Sequence, residues 1–208
     1  ELAGIWSPHH HEDHVGGNLA LLDEWDVPVW AHSSEARRVP GFTNGVEHGD
    51  SFEILGDVWH VLHNPGHTRG AISFYSSEWA FTGDTLFCAG CGRLFEGSAA
   101  EMHASFEKMR GAFAETTRVC TGHEYTEANL RFAAGLLPHD AAIAERLERV
   151  VAARARGEVC AVAEFGEELR TNLFLRVNEP DVARAVGLDA GASAIEVFGA
   201  LRKKKDRA

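Results

Sequence analysis

Cysteine is sparse in this chain. Only four occur in 208 residues, Cys88, Cys91, Cys120 and Cys160, too few for a disulfide framework and better suited to a reducing compartment. Cys88 and Cys91 form C-x-x-C, yet no second such pair exists to complete a four-thiolate zinc site. Positive charge is also short: 20 Lys and Arg against 31 Asp and Glu leave a formal charge of −11, which excludes broad, non-specific attraction to nucleic-acid phosphates or anionic lipid. No apolar run approaches the roughly 20 residues that span a bilayer. The opening stretch, Glu1 to His14, lacks the basic-then-apolar order of a secretory leader. The expectation is a soluble, cytoplasmic chain with no nucleic-acid and no membrane partner. Internal repeats and low-complexity segments are missing too, and no G-x-S-x-G nucleophile motif appears.

What remains is an ordinary globular composition, 45% hydrophobic and 25% charged, long enough for one larger domain with a small appendage. Short apolar runs bounded by turn residues predict strands at Gly4 to Ser7, Val27 to Ala31, Val58 to Leu62, Ala71 to Tyr75, Trp79 to Thr82 and Arg118 to Thr121. Leu19, Leu22 and Trp25 share one predicted helical face. Met102, Phe106, Met109 and Phe113 repeat at helical spacing behind a possible capping box, Ser98 to Glu101. From about Ala134 the strand signals vanish. Ile143, Leu147, Val150 and Val151 mark an amphipathic helix that Gly157 can end, with Glu145 and Arg149 as an i, i+4 pair. A last helix from Ser193, boxed by Glu196, should carry Ile195, Phe198 and Leu201 inward and finish at Arg202 to Lys205. The division expected is 1–133 as a mixed α/β catalytic domain and 134–208 as a helical one.

Histidine is the abundant chemistry, at twelve residues. His9, His10, His11, Asp13 and His14 fall within six consecutive positions after a predicted strand, ahead of Gly16 and Gly17. Imidazole and carboxylate together suit zinc, iron or manganese, and this pattern, H-x-H-x-D-H, offers more ligands than one tetrahedral site uses. Two metals are therefore worth considering. His67, Asp84 and His123 stand at the ends of predicted strands, where α/β proteins tend to place binding groups. Each alone is weak, since Gly-His and Gly-Asp are also common turn pairs.

The ordered segments HHHEDHVGGN, NPGHT, FTGDTLF and TGHEYT resemble the metallo-β-lactamase superfamily, and GCGRLFEG narrows the resemblance to glyoxalase II, hydroxyacylglutathione hydrolase. The likeness continues through GHEYTEANLRFA at 122–133, NLFLR at 172–176 and RKKKD at 202–206. It implies an αββα sandwich followed by a helical glutathione-thioester binding domain. It also implies two divalent ions, zinc first, with iron or manganese as alternatives: His9, His11 and His67 on one, Asp13, His14 and His123 on the other, and Asp84 bridging. His10 is not a ligand in that pattern, and His32, His48, His60, His63, His103 and His139 match no motif.

The implied reaction converts S-D-lactoylglutathione, or another S-2-hydroxyacylglutathione, to D-lactate or the related hydroxy acid and glutathione, the second step of methylglyoxal detoxification. Water at neutral pH is a poor nucleophile, and a metal lowers the pKa of its bound water to about 7. A hydroxide held between two metals is then the nucleophile, with Asp13 and Asp84 as catalytic carboxylates. Arg93, Tyr125, Asn129, Arg202 and Lys205 are implied around the glutathione, whose two carboxylates suit Arg and Lys. A monomer with a small-molecule partner is expected.

Some positions depart from the pattern. Only eight residues precede His9, where the family has several strands, so the sandwich is expected to lack N-terminal strands and expose apolar surface. A chain this short is expected to aggregate or bind metal poorly. Arg93 stands for a common Lys, Phe95 for a frequent Tyr, Ala71 for a frequent His and Leu173 for a frequent Pro. The rival readings are a mononuclear iron persulfide dioxygenase of the same superfamily and a non-catalytic, incomplete metal-binding chain. The full set Asp13, His14 and His123 and the R-x-x-K-D tail speak against the first, and the intact ligand set speaks against the second.

Overall fold

Side-chain alternation along the strands decides the layering of this molecule. The computed structural model describes residues 2–208. Strands β1 (Ile5–Trp6), β2 (Val29–His32) and β3 (Asn44–Val46) pair in parallel as a small sheet. They are followed by β4 (Ser51–Ile54), β5 (Asp57–His63), β6 (Ile72–Tyr75), β7 (Trp79–Gly83), β8 (Leu86–Phe87), β9 (Gly90–Cys91), β10 (Arg118–Thr121) and β11 (Val162–Glu164). The larger sheet has the order β11-β10-β7-β6-β5-β4, with β7 and β10 parallel and the other neighbours antiparallel. Strands β8 and β9 form a separate hairpin. The helices are α1 (Glu12–Val15), α2 (Asn18–Leu22), α3 (Ala99–Ala112), α4 (Thr126–Leu136), α5 (Ala141–Ala155), α6 (Phe165–Thr171), α7 (Pro180–Ala185) and α8 (Ala194–Lys205).

On β2, Val29 and Ala31 face one way, into a cluster with Val15, Leu22 and Val39 on the α1–α2 side. Trp30 faces the other way and stacks on Phe52 with ring centroids 4.4 Å apart, as the two-residue period of a strand requires. Trp59 and Val61 of β5 and Ile72 and Phe74 of β6 meet Trp6 and Trp30 between the sheets. Leu62 and Tyr75, on the opposite face of the larger sheet, pack with the second helical layer. The stacking is helix, sheet, sheet, helix, the αββα architecture expected. An apolar cavity of about 570 Å³ opens at the sheet interface beside Trp6, Trp59, Phe74 and Phe81. No helix among the described residues is long and apolar enough to cross a membrane.

The second helical layer follows its sequence signals closely. Ser98 and Glu101 close a reciprocal capping box on α3, and Ser193 and Glu196 close another on α8, each satisfying two otherwise unpaired amides. Met102, Phe106 and Met109 lie buried along one face of α3, and Phe106 meets Phe198 of α8 edge-on at 5.4 Å. Burying each such aromatic contributes roughly 1.5–3 kcal/mol. Asp140 caps α5 through the Ile143 amide, and Gly157 lies just past its end at φ +78°.

Four local expectations fail. Helix α2 is only five residues long, so Leu19 and Trp25 stay exposed while Leu22 alone turns inward. In α8, Val197 is buried instead of Ile195, because docking on α3 selects a face rotated from the simple pattern. Strand signals do not vanish after Ala134, since β11 adds an antiparallel edge to β10. Arg149 pairs with Glu167 of α6 and not with Glu145, a tertiary partner overriding the helical spacing.

Candidate metal centre

The ligand-type residues are gathered by strand ends. Strands β7 and β10 run parallel and finish together, Gly83 opposite Thr121, which sets Asp84 beside His123. Gly83 holds φ +49°, where a Cβ would lie 2.7 Å from Pro8, so the turn into Asp84 passes tight against the histidine loop. His67 sits in the β5–β6 connection. His9 and His11 follow β1, and His11 is the N-cap of α1, whose single turn carries Asp13 and His14.

His9 Nε2 and His67 Nε2 each lie 3.0 Å from His11 Nδ1. Asp13 Oδ2 is 3.2 Å from His123 Nε2 and 3.9 Å from His14 Nε2. Asp84 stands between the two groups, with Oδ1 3.2 Å from His14 Nε2 and Oδ2 3.2 Å from His123 Nε2 and 3.6 Å from His67 Nε2. The seven side chains form three overlapping sets, His9–His11–His67, His9–His14–Asp84 and Asp13–His14–His123, with ligand atoms of each set within 4.8 Å of one another.

This arrangement fits divalent metal. Nitrogens about 2.0–2.1 Å from a tetrahedral zinc stand about 3.3 Å apart, near the spacing found here. His14 Nε2 and Asp84 Oδ1 are buried without any hydrogen-bond partner, a costly state for polar atoms unless something else binds them. Gly122 confirms how little room surrounds the carboxylate, since a Cβ there would lie 2.2 Å from Asp84 Oδ1 and 2.8 Å from His14 Cε1. His67 Nδ1 donates to the Arg93 carbonyl at 2.8 Å, which fixes the ring so that Nε2 presents its lone pair inward.

Burial favours the neutral, ligand-competent imidazole at His9 and His67, and nearby carboxylates reverse the direction at His14. Burial, reinforced by His14, His67, His11 and His10, pushes His9 down to about 2. Burial also lowers His67, against the opposing pull of the Arg93 carbonyl and Asp84. At His14 burial acts downward as well, but the negative charge of Asp84, 3.2 Å away, helped by Asp13, outweighs it and raises the value.

His10 turns away from the cluster. Its Nδ1 lies 2.8 Å from Oε2 of Glu35, a buried carboxylate, and Arg38 touches its other nitrogen. Arg38 also donates to Glu96 at 2.6 Å, and the Arg69 amide donates to Glu96 at 2.9 Å. Glu96 lies within the GCGRLFEG segment, but Glu35 carries no motif and escapes sequence reading. His32 and His63 stack on each other at 4.4 Å, away from the centre. Cys91 lines the neighbouring cavity, and burial pushes its thiol up to about 11, so it is a protonated wall group and not a nucleophile.

Five of the candidate ligands, His11, Asp13, His67, Asp84 and His123, line a cavity of about 580 Å³ that also holds Arg93, Tyr125, Asn129, Arg202 and Lys205, all five residues anticipated around a glutathione moiety. Their environments differ. Arg93 is 66% exposed in its side chain, and Tyr125 is exposed with its ring stacked on His123 at 5.1 Å. Lys205 Nζ donates to the Ala128 carbonyl at 3.1 Å. Asn129 and Arg202 are buried and hold the Cys88 and Cys91 carbonyls at 3.0 and 2.8 Å. Phe87 and Phe95 add apolar wall that composition alone did not single out.

Residues 9–123 match the metallo-beta-lactamase superfamily, and residues 124–208 match the hydroxyacylglutathione hydrolase C-terminus. The chain is 42% identical over 207 residues to the hydroxyacylglutathione hydrolase of Methylococcus capsulatus, covering 99% of this chain and 80% of that one. Among solved structures, ETHE1 from Myxococcus xanthus superposes with TM-score 0.65 at 24% identity, over 97% of this chain and 68% of its own, a likeness of fold. TTHA1623 in a di-iron-bound form superposes with TM-score 0.56 at 25% identity, over 84% of this chain and 78% of its own.

Proposed function

The chain belongs to the hydroxyacylglutathione hydrolase family of the metallo-β-lactamase superfamily, and on that premise we propose that it cleaves S-D-lactoylglutathione and related 2-hydroxyacyl thioesters to the hydroxy acid and glutathione, at two divalent metal ions. The observation that carries this reading is the convergence of seven His and Asp side chains, five of which line a cavity whose wall is cationic. His9, His11 and His67 would hold one ion and Asp13, His14 and His123 the other, with Asp84 reaching both. Zinc is the first candidate, since imidazole and carboxylate accept it readily, and iron or manganese fit the same donors.

Bound there, the ions act as Lewis acids toward the thioester carbonyl and lower the pKa of water to about 7. The chain's own residues supply position. Residues 134–208 would serve as the helical thioester-binding part, bringing Arg202 and Lys205 to the wall. Arg93 and Lys205 offer positive charge for the glutathione carboxylates, and Tyr125 offers a hydroxyl above the His123 ring. Asn129 and Arg202, with their donors already engaged, shape the wall against which the peptide lies. A thiolate leaves without a dedicated acid, and among the described residues Asp13 and Asp84 are the carboxylate side chains lining the cavity.

Metal-loaded protein is expected to release thiol from S-D-lactoylglutathione, followed with a thiol-reactive dye, while leaving nitrocefin intact and consuming no oxygen. Oxygen uptake on a glutathione persulfide by protein holding one iron, with no thioester cleavage, would favour the dioxygenase instead. Arg93→Ala is expected to raise KM about 10-fold with kcat little changed, because a charged hydrogen bond contributes about 1.5–3 kcal/mol and this one is made equally in ground and transition state. An unchanged KM would remove Arg93 from substrate binding.

A further inference from the structure

The NLFLR segment at 172–176 and the buried charge pair behind it have no part in the chemistry above. Their polar atoms are spent on the β8–β9 hairpin. Asn172 is fully buried, and its Nδ2 lies 3.2 Å from the Phe87 carbonyl, 3.0 Å from the Gly90 carbonyl and 3.0 Å from Glu168 Oε2. Glu168, equally buried, accepts the Ala89 amide proton at 2.7 Å and pairs with Arg146 through its other oxygen at 2.5 Å. Ala89 itself holds φ +55°, a left-handed conformation that a residue with a Cβ keeps only when its surroundings fix it. Two strands of two residues each cannot hold a hairpin by their own ladder.

The hairpin leads straight into the metal centre. Gly92 follows Cys91, and a Cβ there would lie 3.0 Å from His67 Nδ1. The next residue, Arg93, supplies the carbonyl that accepts the His67 Nδ1 proton. A displaced hairpin therefore moves the acceptor that orients this imidazole.

We propose that Asn172 and Glu168 are positioning residues for the metal centre, locking the β8–β9 hairpin so that the Arg93 carbonyl holds His67 with Nε2 toward the metal. The inference rests on His67 as a metal ligand and is independent of which thioester is cleaved. Groups that orient a ligating histidine typically change metal affinity 10- to 100-fold when lost, whereas a purely structural loss leaves the affinity of the folded protein unchanged.

The test is Asn172→Ala compared with Val182→Ala, a buried change in the same apolar core. Zinc affinity is read by chelator competition and amide exchange is read at Ala89 and Gly92 of the zinc-loaded protein. Folded Asn172→Ala is expected to bind one of its two zinc equivalents 10- to 100-fold more weakly, with faster exchange at both amides, and Val182→Ala to show neither. Unchanged zinc affinity in folded Asn172→Ala, or an equal loss in Val182→Ala, overturns the proposal. Should Asn172→Ala not fold, native-state exchange of the unmodified protein decides. The Ala89 amide is then expected to open with the same denaturant dependence as the α6 amides, and opening independent of α6 overturns the proposal. A failure of the thioesterase reading shows separately, as no thiol release alongside an intact zinc response.

Discussion

Asp84→Ala is expected to bind neither metal ion tightly and to lose at least about four orders of magnitude in turnover, a small part of the acceleration that enzymes achieve. Its two oxygens face nitrogens from both ligand groups, Oδ1 facing His14 and Oδ2 facing His123 of that same group and His67 of the other. Without it, each group is left with an incomplete donor set, and the charge that offsets two divalent ions falls by one. The fold is expected to survive, since the turn at Asp84 is held by the Thr85 amide on the Thr82 carbonyl and by Thr82 Oγ1 on the Leu86 carbonyl. Elemental analysis and circular dichroism on the purified variant check both halves. Full turnover with two metals still bound would rule out the proposed bridging role of Asp84.

Arg146→Met is expected to destabilise the protein by about 3–5 kcal/mol, the usual result of stripping one partner from a buried ion pair. Arg146 is 2% exposed. It donates to Thr171 Oγ1 at 2.6 Å and to Glu168 Oε1 at 2.5 Å, and its Nε lies 3.2 Å from Glu167. Its loss leaves the buried Glu168 carboxylate without a counter-charge, held only by the Ala89 amide and the Asn172 side chain. At about 2–4 °C per kcal/mol for a chain this size, the melting temperature should fall by about 10 °C. Adding Glu168→Gln to Arg146→Met should recover part of that loss, since the stranded charge is then gone. A shift under about 2 °C for the single variant would mean the pair is solvated or dispensable.

What the sequence disclosed and what it concealed divide along physical lines. The clustering of the candidate ligands was legible because four of them, His9, His11, Asp13 and His14, sit within six consecutive positions, and the others stand in short Gly-containing turns beside strands with clear β-branched and aromatic runs. Strands such as β5 and β6 are apolar runs bounded by turn residues, so their existence could be read from the sequence. Strands β8 and β9 could not, because two residues each leave no periodic pattern, and their shape is imposed by Asn129, Asn172 and Arg202 from far along the chain. Strand β11 is a strand only because β10 offers it an edge. The exposed Leu19 and Trp25, and the exchange of Ile195 for Val197, show a short or docked helix choosing its face from neighbours and not from spacing. The Arg93 carbonyl that orients His67 belongs to the main chain and has no side-chain signature at all.

Titrating zinc into metal-free protein while following thiol release from S-D-lactoylglutathione joins the metal centre to the reaction in one measurement. The rate is expected to climb until two zinc equivalents are bound per chain and then to level off. No thiol release at any loading of folded protein, or a full rate at a single equivalent, would contradict a two-metal thioester hydrolase.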